Sequence, residues 1–191
     1  MKKEFILEIQ NITNIDYAHF LAFHEGKCKR VHGHGSCTVS AEVGGYLDKD
    51  WVVDFGVIKK IVKGIVEEID HKFVVPRKYA KVVNDKVVIT YKTDQGDHYM
   101  ELPKSEVFIF DKEPTLENII YYIALESLYR LPQNVLWVKI IAQEGQGGTA
   151  KVTVTRSDLP KLGKMVDKLL EKIVKGKTSL KNQTVFTAKE I

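Results

Sequence analysis

Residues 28–45 read CKRVHGHGSCTVSAEVGG, and two patterns overlap in them. From Gly35 to Gly45 apolar and polar residues alternate. Cys37, Val39, Ala41 and Val43 share one face, and Thr38, Ser40 and Glu42 share the other. A period of two is that of a strand with one face on a core and the other toward solvent. Gly44 and Gly45 end it. Upstream, His32 and His34 stand two apart, so in extended chain their rings project from one face. The stretch is a β-strand that begins with a pair of imidazoles.

Outward from this strand the chain alternates between strand pairs and helices. KEFILEIQ (3–10) predicts a first strand. Asp54 stands where a helix N-cap belongs, before FGVIKKIVKGIVEEI, in which Phe55, Ile58, Ile61, Val62, Ile65 and Ile69 fall on one helical face. AKVVNDKVVITYK (80–92) and HYMEL (98–102) predict strands joined by the turn TDQGD. Pro114, as the first helical residue, opens a second helix through TLENIIYYIALESLYR. VLWVKIIAQE (135–144) is apolar on both faces, AKVTVT (150–155) alternates, and a third amphipathic helix is expected over 158–175, before a polar tail. Hairpin-like pairs separated by helices predict an α+β domain with an antiparallel sheet covered on one face.

Bulk properties narrow the function. A chain of 191 residues suits one domain, and its 44% hydrophobic and 28% charged residues are those of a soluble globular protein. No run of about 18 apolar residues predicts a membrane span. Two cysteines without a targeting segment fit a reducing compartment, so a cytoplasmic location is expected. The net charge of +4 is spread along the chain rather than gathered on one stripe, which argues against nucleic acid. One local cluster, Lys27, Lys29 and Arg30, flanks Cys28 and suits a small phosphorylated substrate.

His19, Cys28, His32 and His34 lie within sixteen positions, a density that points to a metal. Three histidines would leave a fourth zinc position open, as catalytic sites do; Cys28 as fourth ligand would close the site and make a structural module. Asp70 and His71 follow the first helix, either as a helix end where His71 meets the C-terminal dipole or as a carboxylate tuning an imidazole for proton transfer. Glu117 sits in the first turns of the second helix, where an acidic residue is expected for dipole reasons. Glu144 ends an apolar strand, where a carboxylate is costly to desolvate without partners.

Taken together, DYAHF (16–20), CKRVHGH (28–34), WVVDF (51–55), IDH (69–71), PTLEN (114–118) and VKIIAQE (138–144) occur in an order and spacing that resembles the 6-pyruvoyl-tetrahydropterin and 6-carboxytetrahydropterin synthase family. The resemblance covers about residues 3–75 and 112–155. It implies a tunnelling fold: a four-stranded antiparallel sheet with helices packed on one face, assembled into homo-oligomers, commonly hexamers, with active sites at subunit interfaces. It implies Zn2+ on His19, His32 and His34, Cys28 as general base with Asp70 and His71 as partners, Glu144 anchoring the pterin, and Thr115 and Glu117 on the substrate side.

The implied reaction turns 7,8-dihydroneopterin triphosphate into 6-carboxytetrahydropterin, on the route to 7-deazaguanine nucleosides such as queuosine and archaeosine. The alternatives are the 6-pyruvoyl product of the biopterin route, and a non-catalytic zinc module. Gly145 stands where the family usually has threonine and Gly35 where it has a bulkier residue. Two additions stand out within this single domain of 1–191: an insertion over about 76–111, expected as a peripheral β-hairpin with Asn84, Asp85, Asp94, Gln95 and Asp97 at its turns, and a C-terminal extension over about 156–191 carrying the third helix.

Overall fold

The structure is a computed structural model that describes residues 2–145 and 147–159, except for the side chain of His34. The expected third helix, and most of the extension beyond 156, lie outside the described residues.

Strand β1 runs from Glu4 to His19, much further than the alternation in its sequence suggests. Its pairing with β2 carries two register shifts, one between Ile9 and Thr13 and one between Ile15 and Tyr17. The first puts the extra residues on β1, so Ile9, Ile12 and Ile15 are buried at spacings of three; the second puts the extra residue on β2, between His34 and Cys37, and Ile15, Tyr17 and His19 keep the period of two. Asn11 takes the left-handed conformation at the first shift (φ 52°), and its N–H donates to Ser40 Oγ at 3.0 Å.

Strand β2 (His32–Tyr46) pairs antiparallel with β1 and, on its other side, with β8 (Val135–Glu144), which pairs with β9 (Gly148–Thr155). These four strands are the antiparallel sheet the sequence predicts. Cys37, Val39, Ala41 and Val43 are fully buried on one face. Across that face lie α1 (Phe55–Glu67) on β1 and α2 (Leu116–Arg130) on β8 and β9. Asp54 caps α1 by accepting from Gly56 N–H at 2.7 Å. Ile58, Val62, Ile65 and Ile69 face the core, but Phe55 is 49% exposed because it sits in the first turn, beyond the sheet's cover. The cap of α2 is Thr115, whose hydroxyl accepts from Asn118 N–H, so Pro114 precedes the cap instead of opening the helix.

Two short strands extend the sheet to six. β3 (Lys72–Pro76) lies parallel to the end of β1, and β7 (Val107–Phe110) lies parallel to β3. The insertion over 76–111 is therefore not wholly peripheral, since its last strand is an edge of the main sheet. The rest of it forms a separate three-stranded sheet: β4 (Ala80–Val83), β5 (Lys86–Thr93) and β6 (Gly96–Pro103). What reads as one run over 80–92 is two strands, turning at Asn84, which adopts φ 56°. Val87, Ile89 and Tyr91 of β5 pack with Phe20, Phe73, Val75 and Val107 in a second core.

Candidate metal centre and active site

The β1–β2 register sets His19 directly opposite His32 and Tyr17 opposite His34. His19 is 3% exposed, an unusual depth for an imidazole. Its Nδ1 lies 2.6 Å from the carbonyl oxygen of Pro114, and Nδ1 of His32 lies 2.7 Å from that of Arg30. A carbonyl can only accept, so both Nδ1 atoms are assigned the proton. The two Nε2 atoms then face each other 3.0 Å apart. In neutral rings both carry lone pairs, an arrangement that asks for a proton or a cation between them.

Zinc fits this donor set. Imidazoles whose second nitrogen is anchored by a backbone carbonyl are the common form of histidine zinc ligand. Two nitrogens at 2.0–2.1 Å from a tetrahedral zinc stand roughly 3.3 Å apart, close to the spacing here. His34 is placed in β2 at the right register, while its side chain lies outside the described residues.

Cys28 sits in a 3-10 turn (Lys27–Lys29), half-buried, with its carbonyl accepting from Leu21 N–H at 2.8 Å. Among the described residues, the one group of three or more potential ligands within 4.8 Å of each other is Asp16, Asp70 and His71. Cys28 therefore does not complete such a group with His19 and His32.

Asp70 and His71 follow α1, and the carboxylate is fully used. Asp70 Oδ1 accepts from Asp16 N–H at 2.8 Å, and Oδ2 holds His71 Nδ1 at 2.7 Å. His71 adopts φ 55° and donates its own N–H to Asp16 O at 2.6 Å. The dipole reading of His71 does not hold, because α1 ends at a C-cap on Glu68. The hydrogen bond that His71 donates to Asp70, and then the charge of that carboxylate, raise the His71 pKa above the ordinary imidazole value. Asp16, which sequence reading passed over within DYAHF, knits this corner together; its Oδ1 also accepts from Ser36 N–H. The corner borders an open cleft of about 590 Å³ lined by Asp16, Ala18, Gly33, Gly35, His71 and Lys72 among others. Asp16 and His19 are three apart along β1, so their side chains leave opposite faces of the strand.

On the face of His19, Tyr17 packs edge-on against that ring, centroids 5.2 Å apart. Burial, and after it the nearby Cys37, Glu144 and Glu117, push its phenol pKa up. Glu144 is half-buried at the end of β8 and Glu117 exposed in the first turn of α2, and both carboxylates act on this phenol. The same Glu144, behind burial as the main cause, helps push the buried Cys37 thiol up to about 11. Thr115 is occupied as the α2 cap, and the residue before it, Pro114, anchors His19.

Comparison with known proteins identifies the family of the chain and relatives of its fold. The sequence profile of the family described as 6-pyruvoyl tetrahydropterin synthase matches residues 8–158. A Pyrococcus horikoshii protein provisionally named 6-carboxy-5,6,7,8-tetrahydropterin synthase is 32% identical over 143 residues, 73% of this chain and 85% of that protein. Its provisionally named counterpart in Methanocaldococcus jannaschii is 31% identical over 137 residues, 66% of this chain and 82% of its own length. The crystal structure of Plasmodium vivax 6-pyruvoyltetrahydropterin synthase superposes with a TM-score of 0.65 over 81% of this chain and 99% of that one; at 23% identity this speaks for the fold. The chain belongs to the 6-pyruvoyl tetrahydropterin synthase family.

Proposed function

We propose that this protein is a zinc-dependent lyase that converts 7,8-dihydroneopterin triphosphate to 6-carboxy-5,6,7,8-tetrahydropterin, serving 7-deazaguanine synthesis. The observation that carries the reading is the pair of carbonyl-anchored imidazoles, His19 and His32, with their Nε2 atoms 3.0 Å apart. The choice of the 6-carboxy product rests on the names of the relatives with about a third of their residues in common.

His19 and His32, with His34, would hold the metal. When bound, zinc supplies Lewis acidity, which makes the C–H bonds beside the substrate's side-chain hydroxyls more acidic. Cys28, as the general base, takes the proton from such a carbon. Asp70 fixes His71 through Nδ1, leaving Nε2 to give and take a proton. Glu144 accepts two hydrogen bonds from the guanidine-like edge of the pterin. Thr115 and Glu117 stand at the start of α2, where substrate reaches the anchored His19. That Cys28 forms no three-ligand group with His19 and His32 favours an open catalytic site over a closed structural module.

The position of the Asp70–His71 corner, on the face of β1 opposite His19, supports a site completed between subunits of a homo-oligomer, a hexamer on the family pattern. Incubation with dihydroneopterin triphosphate and trapping of volatile aldehyde tests the product. Acetaldehyde in step with a 6-carboxy pterin is expected. A 6-pyruvoyl product with triphosphate released and no aldehyde would overturn the assignment.

A further inference from the structure

The tip of the inserted hairpin lies on the loop that carries Cys28. β5 and β6 are in register from Lys86 opposite Pro103 to Thr93 opposite Gly96, leaving Asp94 and Gln95 as the turn. Gly96, just after the turn, takes φ 127°, a conformation that a side chain would resist. Both carboxylate oxygens of Asp94 lie 2.6 Å from Lys29 Nζ. Gln95 Oε1 accepts from Arg30 Nε at 3.2 Å. Thus the residues on the C-terminal side of Cys28 are both held by residues that occur only because of the insertion.

The hairpin is itself firmly mounted. Tyr91 stacks on Phe20 with centroids 3.8 Å apart and on His98 at 4.3 Å, and Thr93 Oγ1 lies 3.1 Å from His98 Nε2. Val87 and Ile89 are fully buried in the second core. Ion pairs Arg77–Asp111 and Lys78–Glu113 close the base of the insertion. Three points of the proposed site therefore meet one rigid element. Phe20, under Tyr91, directly follows His19. Lys29, under Asp94, directly follows Cys28. Arg30, under Gln95, supplies the carbonyl that anchors His32.

Energy alone does not make this contact matter, since ion pairs with an exposed partner contribute little, and Asp94 is 69% exposed. Geometry does. Lys29 is only 12% exposed, and its ammonium is spanned by both oxygens of one carboxylate, so it is poorly placed to grip a substrate phosphate as well. The same contact holds the Asp94 carboxyl below its ordinary value.

We infer that the β5–β6 hairpin is a brace for the Cys28 loop, with Asp94 as a positioning residue, and that Lys29 serves the brace and not the triphosphate. The inference rests on Cys28 acting as the base. Its test is split so that the two can fail separately. In the zinc-loaded full-length protein, trypsin cleavage after Lys27 and Arg30 needs no assumption about activity. With Asp94→Asn it should rise several-fold over the parent protein, as a loop released from its contact opens more often. In the activity assay Asp94→Asn and Lys29→Ala should each lower kcat by about tenfold with KM within about twofold, the cost of a misplaced catalytic group. The double variant should be no worse than either single one, and Asp94→Glu should regain most of the loss.

Unchanged cleavage in Asp94→Asn would overturn the brace whether or not the parent turns over the pterin. So would a Lys29→Ala enzyme with raised KM and normal kcat beside an unaffected Asp94→Asn, since Lys29 would then be a phosphate ligand.

Discussion

His19 and His32 are each held by a backbone carbonyl and His71 by a carboxylate, and these partners make the roles testable. A buried imidazole whose Nδ1 is fixed by a carbonyl offers only Nε2 outward, so removing His32 leaves His19 facing an incomplete set of donors. His32→Ala is expected to lose most of its zinc on dialysis, measured by metal analysis, while retaining the circular dichroism of the fold. Cys28→Ala should keep its zinc and its stability and lose turnover by a factor on the order of 10³, as expected for a removed general base.

The Asp70–His71 pair gives a pH prediction with a definite sign. Asp70 favours the charged imidazole, so the His71 pKa is raised and the interaction is present at low pH and lost as pH rises through the folded-state value. In Asp70→Asn the NMR titration midpoint of His71 should fall toward that of an ordinary imidazole; an unmoved midpoint would mean the pair is incidental. The pairing of His19 with His32 was legible in the sequence because metal chemistry constrains residue type and spacing. Asp16 was not, because its role depends on a fold that lays β1 beside the end of α1, 54 positions away.

At the scale of elements, legibility followed periodicity. β2 and α1 could be read almost to the residue, since each has one buried face and a clean period. β1 was visible only to Gln10, because the register shift between Ile9 and Thr13 breaks the alternation that marks a strand. β3 and β7 were missed for a different reason. KFVVP is buried from Phe73 through Pro76, and a parallel strand covered on both faces shows no alternation to detect. The second core around Phe20 was equally hidden, as it joins residues from four separate segments.

One element is held by a residue with no local signature at all. Arg156 donates to the carbonyls of Leu128, Leu131, Pro132 and Val135, closing the C-terminal end of α2 from the end of β9. Burial lowers its pKa somewhat, yet guanidinium remains charged at any working pH. Arg156→Ala strands several half-buried acceptors, and a loss of about 2–3 kcal/mol in urea denaturation is expected. Arg156→Lys, with one ammonium in place of a planar fork, should recover only part of it.

For the whole molecule, the four antiparallel strands and two covering helices place the His19–His32 pair at one end of β1 and β2, while Asp16 and His71 line a cleft. Among the described residues, no helix is long and apolar enough to cross a membrane. If the base and its partner pair come from neighbouring subunits, two inactive variants can complement each other. Mixing Cys28→Ala with His71→Ala subunits after dissociation and reassembly should restore part of the activity that neither has alone; no recovery would place a whole site within each chain. The most direct test of the account is zinc X-ray absorption on the loaded, substrate-free protein. It predicts four nitrogen or oxygen neighbours at about 2.0–2.1 Å, with imidazole scattering and no sulfur, which is an open catalytic site. A sulfur neighbour at about 2.3 Å would make Cys28 a ligand and the centre a structural one.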